Sequence, residues 1–97
     1  MPDDLDEPLS PPEARALVRA ILATGTYAYS EHAEAEMAKD GLSRVDCANV
    51  LRGGVVEPGE FLHGSWRYRV RTARITVVVA FRSRTRFRVV TAWRTAP

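Results

Sequence analysis

From Trp66 onward, arginine recurs at alternate positions: Arg67, Arg69 and Arg71, then Arg82, Arg86 and Arg88, with Arg74 and Arg94 nearby. A spacing of two places side chains on one face of an extended strand. Guanidinium groups held that way suit phosphate, which they grip with paired N–H bonds. Two histidines, His32 and His63, are the side chains that exchange protons near neutral pH. His32 falls two residues after Ser30, a candidate helix cap, so it belongs to a first helical turn whose free N–H groups can hold an anion. His63 precedes Gly64 in an expected loop. Cleavage of RNA needs a base for the 2′-hydroxyl, cations for the charged phosphorane and an acid for the leaving 5′-oxygen. Histidine can serve as base or acid, and arginines on a rigid sheet can stabilise the charge. The alternative for His32 is a packed or hydrogen-bonded structural role, and for His63 an exposed loop position without a role.

Other chemistries find less support. One cysteine and two distant histidines give no zinc spacing, and no metal or cofactor is expected. Gly53-Gly54 lacks the lysine and the strand–loop–helix order of a phosphate loop. Cys47 lies inside an expected helix and reads as inert rather than nucleophilic. A lone cysteine permits no internal disulfide, which fits a reducing compartment, and a cytoplasmic location is expected. No apolar run approaches the ~18–20 residues of a membrane helix. The acidic start, Met1 to Glu7, is not that of a signal peptide.

The net charge of +2 hides a division. Residues 1–60 carry 5 Lys/Arg against 12 Asp/Glu, whereas residues 61–97 carry 9 Arg and no acid. A field of that sign attracts polyanions, although charged side chains also solvate a sheet face and protect its edges.

The elements that must position these residues form an α+β pattern. Residues 1–9 read as a disordered acidic tail and residues 10–95 as a single domain. Ser10-Pro11-Pro12-Glu13 is a capped helix start, and Gly25 stops that helix. Thr26 to Tyr29 reads as a short extended link. A second helix is expected over about 31–40. A third, from the capping box at Ser43, runs to about Arg52 with Val45, Ala48 and Leu51 inward. The acids of the second and third helices argue against a DNA-binding helix pair.

Val55-Val56-Glu57 reads as a short strand, and three longer strands follow. The expectation is two to three N-terminal helices on one face of a 3–4-stranded antiparallel sheet. A turn at Thr72-Ala73 would pair Val70 with Ile75, Tyr68 with Val77 and Trp66 with Val79. A turn at Ser83-Arg84-Thr85 would pair Phe81 with Phe87, Val79 with Val89 and Ile75 with Trp93. That register puts Trp66, Tyr68, Thr91 and Trp93 on the helix side. The other side becomes a floor of Thr76, Val78, Ala80, Val90 and Ala92 between Arg67, Arg69, Arg71, Arg74, Arg82, Arg86, Arg88 and Arg94.

The order of several short pieces resembles a family of small prokaryotic domains. The pieces are Tyr29-Ser30-Glu31-His32-Ala33, Met37, Gly41-Leu42-Ser43 with Val45, Val50-Leu51, Gly54-Val55-Val56-Glu57, Tyr68-Arg69-Val70 and Val89-Val90-Thr91. The family is grouped with RelE-like and MqsR-like toxins of the barnase–colicin ribonuclease type. The resemblance covers about residues 29–93. It implies a toxin endoribonuclease that works without metal, with RNA as substrate and a cognate antitoxin as partner. It also implies catalytic roles for His32, for Arg67 or Arg69, and for Thr91. Arg71, Arg74, Arg82, Arg86, Arg88, Arg94 and His63 are then candidates for binding RNA. The family usually carries arginine just before the methionine, where this chain has Glu36, so a member that binds without cleaving is the alternative.

Overall fold

Three serines start the three helices. Ser10, Ser30 and Ser43 each accept a backbone N–H of the first turn, from Glu13, Ala33 and Asp46 respectively. Glu13 and Asp46 answer by accepting the N–H of their own caps, so both expected capping boxes are present. The computed structural model describes residues 5–95. Its elements are α1 (Pro11–Thr24), β1 (Thr26–Tyr29), α2 (Glu31–Lys39), α3 (Arg44–Gly53), β2 (Val55–Val56), β3 (Glu60–Leu62), β4 (Ser65–Arg71), β5 (Ile75–Ser83) and β6 (Arg86–Arg94). Gly41, with φ of +66°, takes the left-handed turn after α2, where Leu42 N–H reaches back to the Met37 carbonyl.

The class is α+β, but the sheet is larger than expected and mixed. It has six strands in the order β1-β6-β5-β4-β2, with β3 paired to β4 off that path. β4, β5 and β6 form the expected antiparallel centre. The expected link Thr26–Tyr29 is the edge strand β1, which runs parallel to β6 and pairs Thr26 with Arg86 through Tyr29 with Val89. β3 was also unexpected; it is a three-residue arm that pairs Glu60 with Arg67 and Leu62 with Ser65.

One face of the sheet carries the helices. Ala14, Val18 and Ile21 of α1, Ala33 and Met37 of α2, and Cys47, Val50 and Leu51 of α3 bury against Tyr68, Val70, Val77, Val79, Phe81, Phe87, Val89 and Ala92. A fully buried side chain of this kind contributes roughly 1.5–3 kcal/mol. Val45, expected inward, is 68% exposed because the inward stripe of α3 begins at Cys47. The expected disordered tail holds for none of residues 5–9, while residues 1–4 lie outside the described chain. Leu5 and Leu9 pack against the core, and the Tyr68 hydroxyl donates to Glu7 at 3.0 Å and accepts the Leu9 N–H at 2.9 Å. Two leucines within an acidic stretch are enough to anchor it. Burial raises the Glu7 carboxyl above its ordinary range. Among the described residues, no helix is long and apolar enough to cross a membrane.

Two register corrections reach the outer face. Thr72 N–H donates to the Ile75 carbonyl, so the β4–β5 turn is Ala73-Arg74, and Val70 pairs with Val77 and Tyr68 with Val79. This slip of two residues preserves the faces. The second slip does not. Phe81 pairs with Phe87 and Val79 with Val89 as expected, but Val78 then pairs with Thr91, Thr76 with Trp93 and Ile75 with Arg94. One extra residue in β6, a β-bulge at Val90, reverses the facing of everything after it. Ala92, expected on the outer floor, therefore joins the core, while Thr91 and Trp93 leave the helix side.

Two outcomes test this arrangement. A methyl group on Gly25 would collide with the Thr85 carbonyl oxygen and the backbone of Ile21. Gly25→Ala should therefore cost about 1–3 kcal/mol, read as a lower urea midpoint with unchanged slope. Separately, the hydrogen bonds of the capping boxes hold the Glu13 and Asp46 carboxyls below their ordinary values of 4.5 and 3.8. A lowered folded-state pKa stabilises above the unfolded value, and the stabilisation fades as pH falls through the folded one. Urea midpoints between pH 5 and pH 2 should fall less steeply in the double variant Glu13→Gln, Asp46→Asn than in the parent.

Candidate phosphate-binding site

The start of α2 is fastened to the bulge of β6. Ser30 N–H donates to the Val89 carbonyl at 3.0 Å, and Ser30 Oγ donates to the Val90 carbonyl at 3.2 Å while accepting Ala33 N–H at 3.0 Å. One serine thus caps the helix and satisfies the carbonyl that the bulge takes out of the ladder. His32, two residues later, is held by this anchor at the rim of the arginine-bearing face.

On the sheet the floor is small and closed. Thr76, Val78 and Ala80 are 5%, 7% and 3% exposed, although no helix covers them. Their cross-strand neighbours on that face include Arg69, Arg71, Arg88, Thr91 and Trp93. Across the floor, β5 Ala80 pairs with β6 Arg88, and β4 brings Arg67 alongside. Opposite stands the β3–β4 hairpin, whose two-residue turn is His63-Gly64 with φ of 51° and 82°. Both values are positive, as a type I′ hairpin turn requires; histidine adopts such φ more readily than most residues, at some cost in strain, although asparagine or glycine is usual there.

These elements enclose an open cleft of about 520 Å³, lined by Ser30, His32, His63, Arg67, Arg82, Arg88 and their neighbours. Two histidines and three arginines line it, and no carboxylate of the described residues does. Among the described residues, none of Arg67, Arg82 and Arg88 enters an ion pair, and Arg67 makes only a long contact of 3.4 Å with Ser65 Oγ. Such a set can hold a phosphate and move protons on either side of it.

The other candidate residues are placed elsewhere. Arg69 lies 3.6 Å from Glu60, with its guanidinium 6.0 Å from the Trp93 ring centre. Arg71 is paired with Glu57. Arg74 sits in the β4–β5 turn, about eight residues and roughly 27 Å along β5 from Arg82. Arg86 lines an adjoining hollow of about 340 Å³ with Arg82, Arg88 and Tyr27. Arg94 is not on the arginine face: past the bulge it turns to the end of α2, where its Nε donates to the Asp40 carbonyl at 2.8 Å. It neutralises the negative end of that helix. Thr91 reaches the outer face beside Val78 but does not line the cleft. Glu36 is paired with Lys39 at 2.9 Å and also stays outside the cleft.

Cys47 is fully buried, and burial pushes its thiol upward, away from the reactive thiolate. Among the described residues no three His, Cys, Asp or Glu side chains gather as a metal site. Sequence reasoning missed two features here. Ser30 was legible as a cap but not as the bulge anchor, and Trp93 was read as core although it lies half-buried on the arginine face.

The strain at His63 makes a separable test. His63→Asn should raise stability by about 0.5 kcal/mol, since asparagine tolerates positive φ better. The same substitution should weaken binding of single-stranded RNA in a filter or anisotropy assay. A variant more stable yet poorer at binding would place His63 among residues kept for a ligand.

No family model, curated protein or solved structure matches this chain.

Proposed function

We propose that this chain is an endoribonuclease of the RelE-like and MqsR-like toxin type, acting at the cleft between α2, β6 and the β3–β4 hairpin. The observation that carries the reading is that His32, His63, Arg67, Arg82 and Arg88 line one open cleft to which no carboxylate of the described residues contributes. A phosphodiester lying on the guanidiniums shares the cleft with both imidazoles. His32 takes the proton of the 2′-hydroxyl as that oxygen forms its bond to phosphorus. The bond from phosphorus to the 5′-oxygen breaks, and the His63 imidazolium delivers a proton to that oxygen. The products are a 2′,3′-cyclic phosphate and a free 5′-hydroxyl. The arginines stabilise the additional negative charge of the phosphorane, a role that fixed cations fill without rearrangement. Selectivity for RNA follows from the 2′-hydroxyl itself, and a cognate antitoxin is the protein partner this reading implies.

A second reading has an observation of its own. No hydrogen bond between described residues engages either imidazole, whereas catalytic histidines are commonly oriented by a partner. The same cleft would then bind RNA or an acidic protein without cleaving it.

Incubating purified protein with single-stranded RNA in chelator, with products resolved on a denaturing gel, separates the two. The enzyme reading expects cleavage that drops about a hundredfold or more in His32→Ala and in His63→Ala, with both variants still folded. Wild-type rates in both would overturn the roles given to them, and binding without products in the parent would favour the second reading. If the three free guanidiniums carry the affinity, log K should fall with log salt at a slope of about −2.

A further inference from the structure

The bulge leaves one large aromatic ring on a face otherwise floored by Thr76, Val78 and Ala80. Trp93 pairs with Thr76 there and is half-buried, with one guanidinium, that of Arg69, facing its ring from the neighbouring side of β5. The separation from Arg69 Cζ to the ring centre is 6.0 Å. Direct stacking would bring the two planes to about 3.5–4 Å. A flat group held between two such planes needs about 7 Å, so Arg69 must swing outward to admit one. Among the described residues, the ion-pair partner of Arg69 is Glu60 at 3.6 Å, an exposed pair that gives way at small cost.

We propose that Trp93 and Arg69 form a stacking subsite for one unpaired nucleobase, making the ligand a single-stranded nucleic acid rather than polyanions at large. This rests on the reading of the adjoining cleft as the place of a backbone phosphate. From Ala80, the floor of that cleft, to Thr76, beside Trp93, is four residues of β5, roughly 13 Å. A strand of a few nucleotides spans that distance, with one phosphate among Arg67, Arg82 and Arg88 and a nearby base between Trp93 and Arg69. A base paired in a duplex cannot enter, because both its faces are covered by neighbouring bases. Tryptophan and guanidinium planes accept any base, so the subsite selects for strandedness more than for sequence.

The chain has two tryptophans, and Trp66 packs edge-on to Phe61 at 5.4 Å away from this subsite. In Trp66→Phe, therefore, fluorescence reports Trp93 alone. The probes are a 2′-O-methyl oligouridylate, which cannot be cleaved through the 2′-oxygen, and inorganic polyphosphate, which has no bases. The expected result is quenching by the oligonucleotide and none by polyphosphate, although both bind. Trp93→Ala, with Trp66 restored, should lose about tenfold or more in affinity for the oligonucleotide and keep its affinity for polyphosphate. Trp93→Phe should recover part of that loss. Oligonucleotide binding without quenching, or an equal loss for both probes, would overturn the subsite and leave the phosphate cleft standing. If neither probe binds the parent protein, the cleft reading fails and the subsite falls with it. Quenching needs no change at Trp93, so it decides the matter even if Trp93→Ala does not fold.

Discussion

A single carbonyl organises the functional half of this molecule. The bulge at Val90 takes that residue out of the regular β5–β6 ladder, and Ser30 Oγ donates to its oxygen while capping α2. A buried, unsatisfied carbonyl would cost about 1–3 kcal/mol, so the bulge and the helix start stabilise each other. From this joint follow the position of His32, the passage of Thr91 and Trp93 to the outer face, and the turning of Arg94 toward α2. Without it, β6 would continue its alternation and the outer face would carry alanine where it now carries tryptophan.

Six of the nine arginines in residues 61–97 divide into two kinds, which composition alone does not separate. Arg71, Arg94 and in part Arg69 are engaged by Glu57, by the end of α2 and by Glu60. Arg67, Arg82 and Arg88 are not so engaged and converge on one cleft. Exposed ion pairs stabilise a fold little, so the acids near the sheet act mainly to set which guanidiniums remain available. Glu57 and Glu60 both precede the arginine-rich segment, and β2 and β3 fold back along β4 to deliver them. The unequal charge of the two parts of the chain is thereby balanced at one end of the sheet and left uncompensated at the other.

Much of this architecture was legible in the residues, for identifiable reasons. The helices carry local signals: Ser10 with Glu13, Ser43 with Asp46, and glycines just past their ends. The inward face of β4 was legible because Tyr68 and Val70 alternate with arginines; β5 is apolar on both sides, and its facing followed from pairing it with β4 and β6. The bulge was not, because Val89-Val90-Thr91-Ala92-Trp93 offers too little contrast to show where the alternation breaks. β1 was missed because its four residues form a strand only through pairing with β6, a contact between distant parts of the chain. β3 is too short to show a period. At the site, His32 and the arginines could be named from type and spacing, but their grouping depended on the bulge and on the His63-Gly64 hairpin.

The anchoring of Ser30 to Val89 and Val90 joins groups about 60 positions apart, and β1 closes on β6 over a similar span. Contacts of that reach form late, because a long loop must close before they are rewarded. A chain emerging from the ribosome can build α1, α2 and α3 early, but His32 has nothing to be anchored to until the last strand is made. A chain that still lacks β6 therefore has no assembled cleft. Whatever the proposed cleft binds, it cannot bind before β6 is in place.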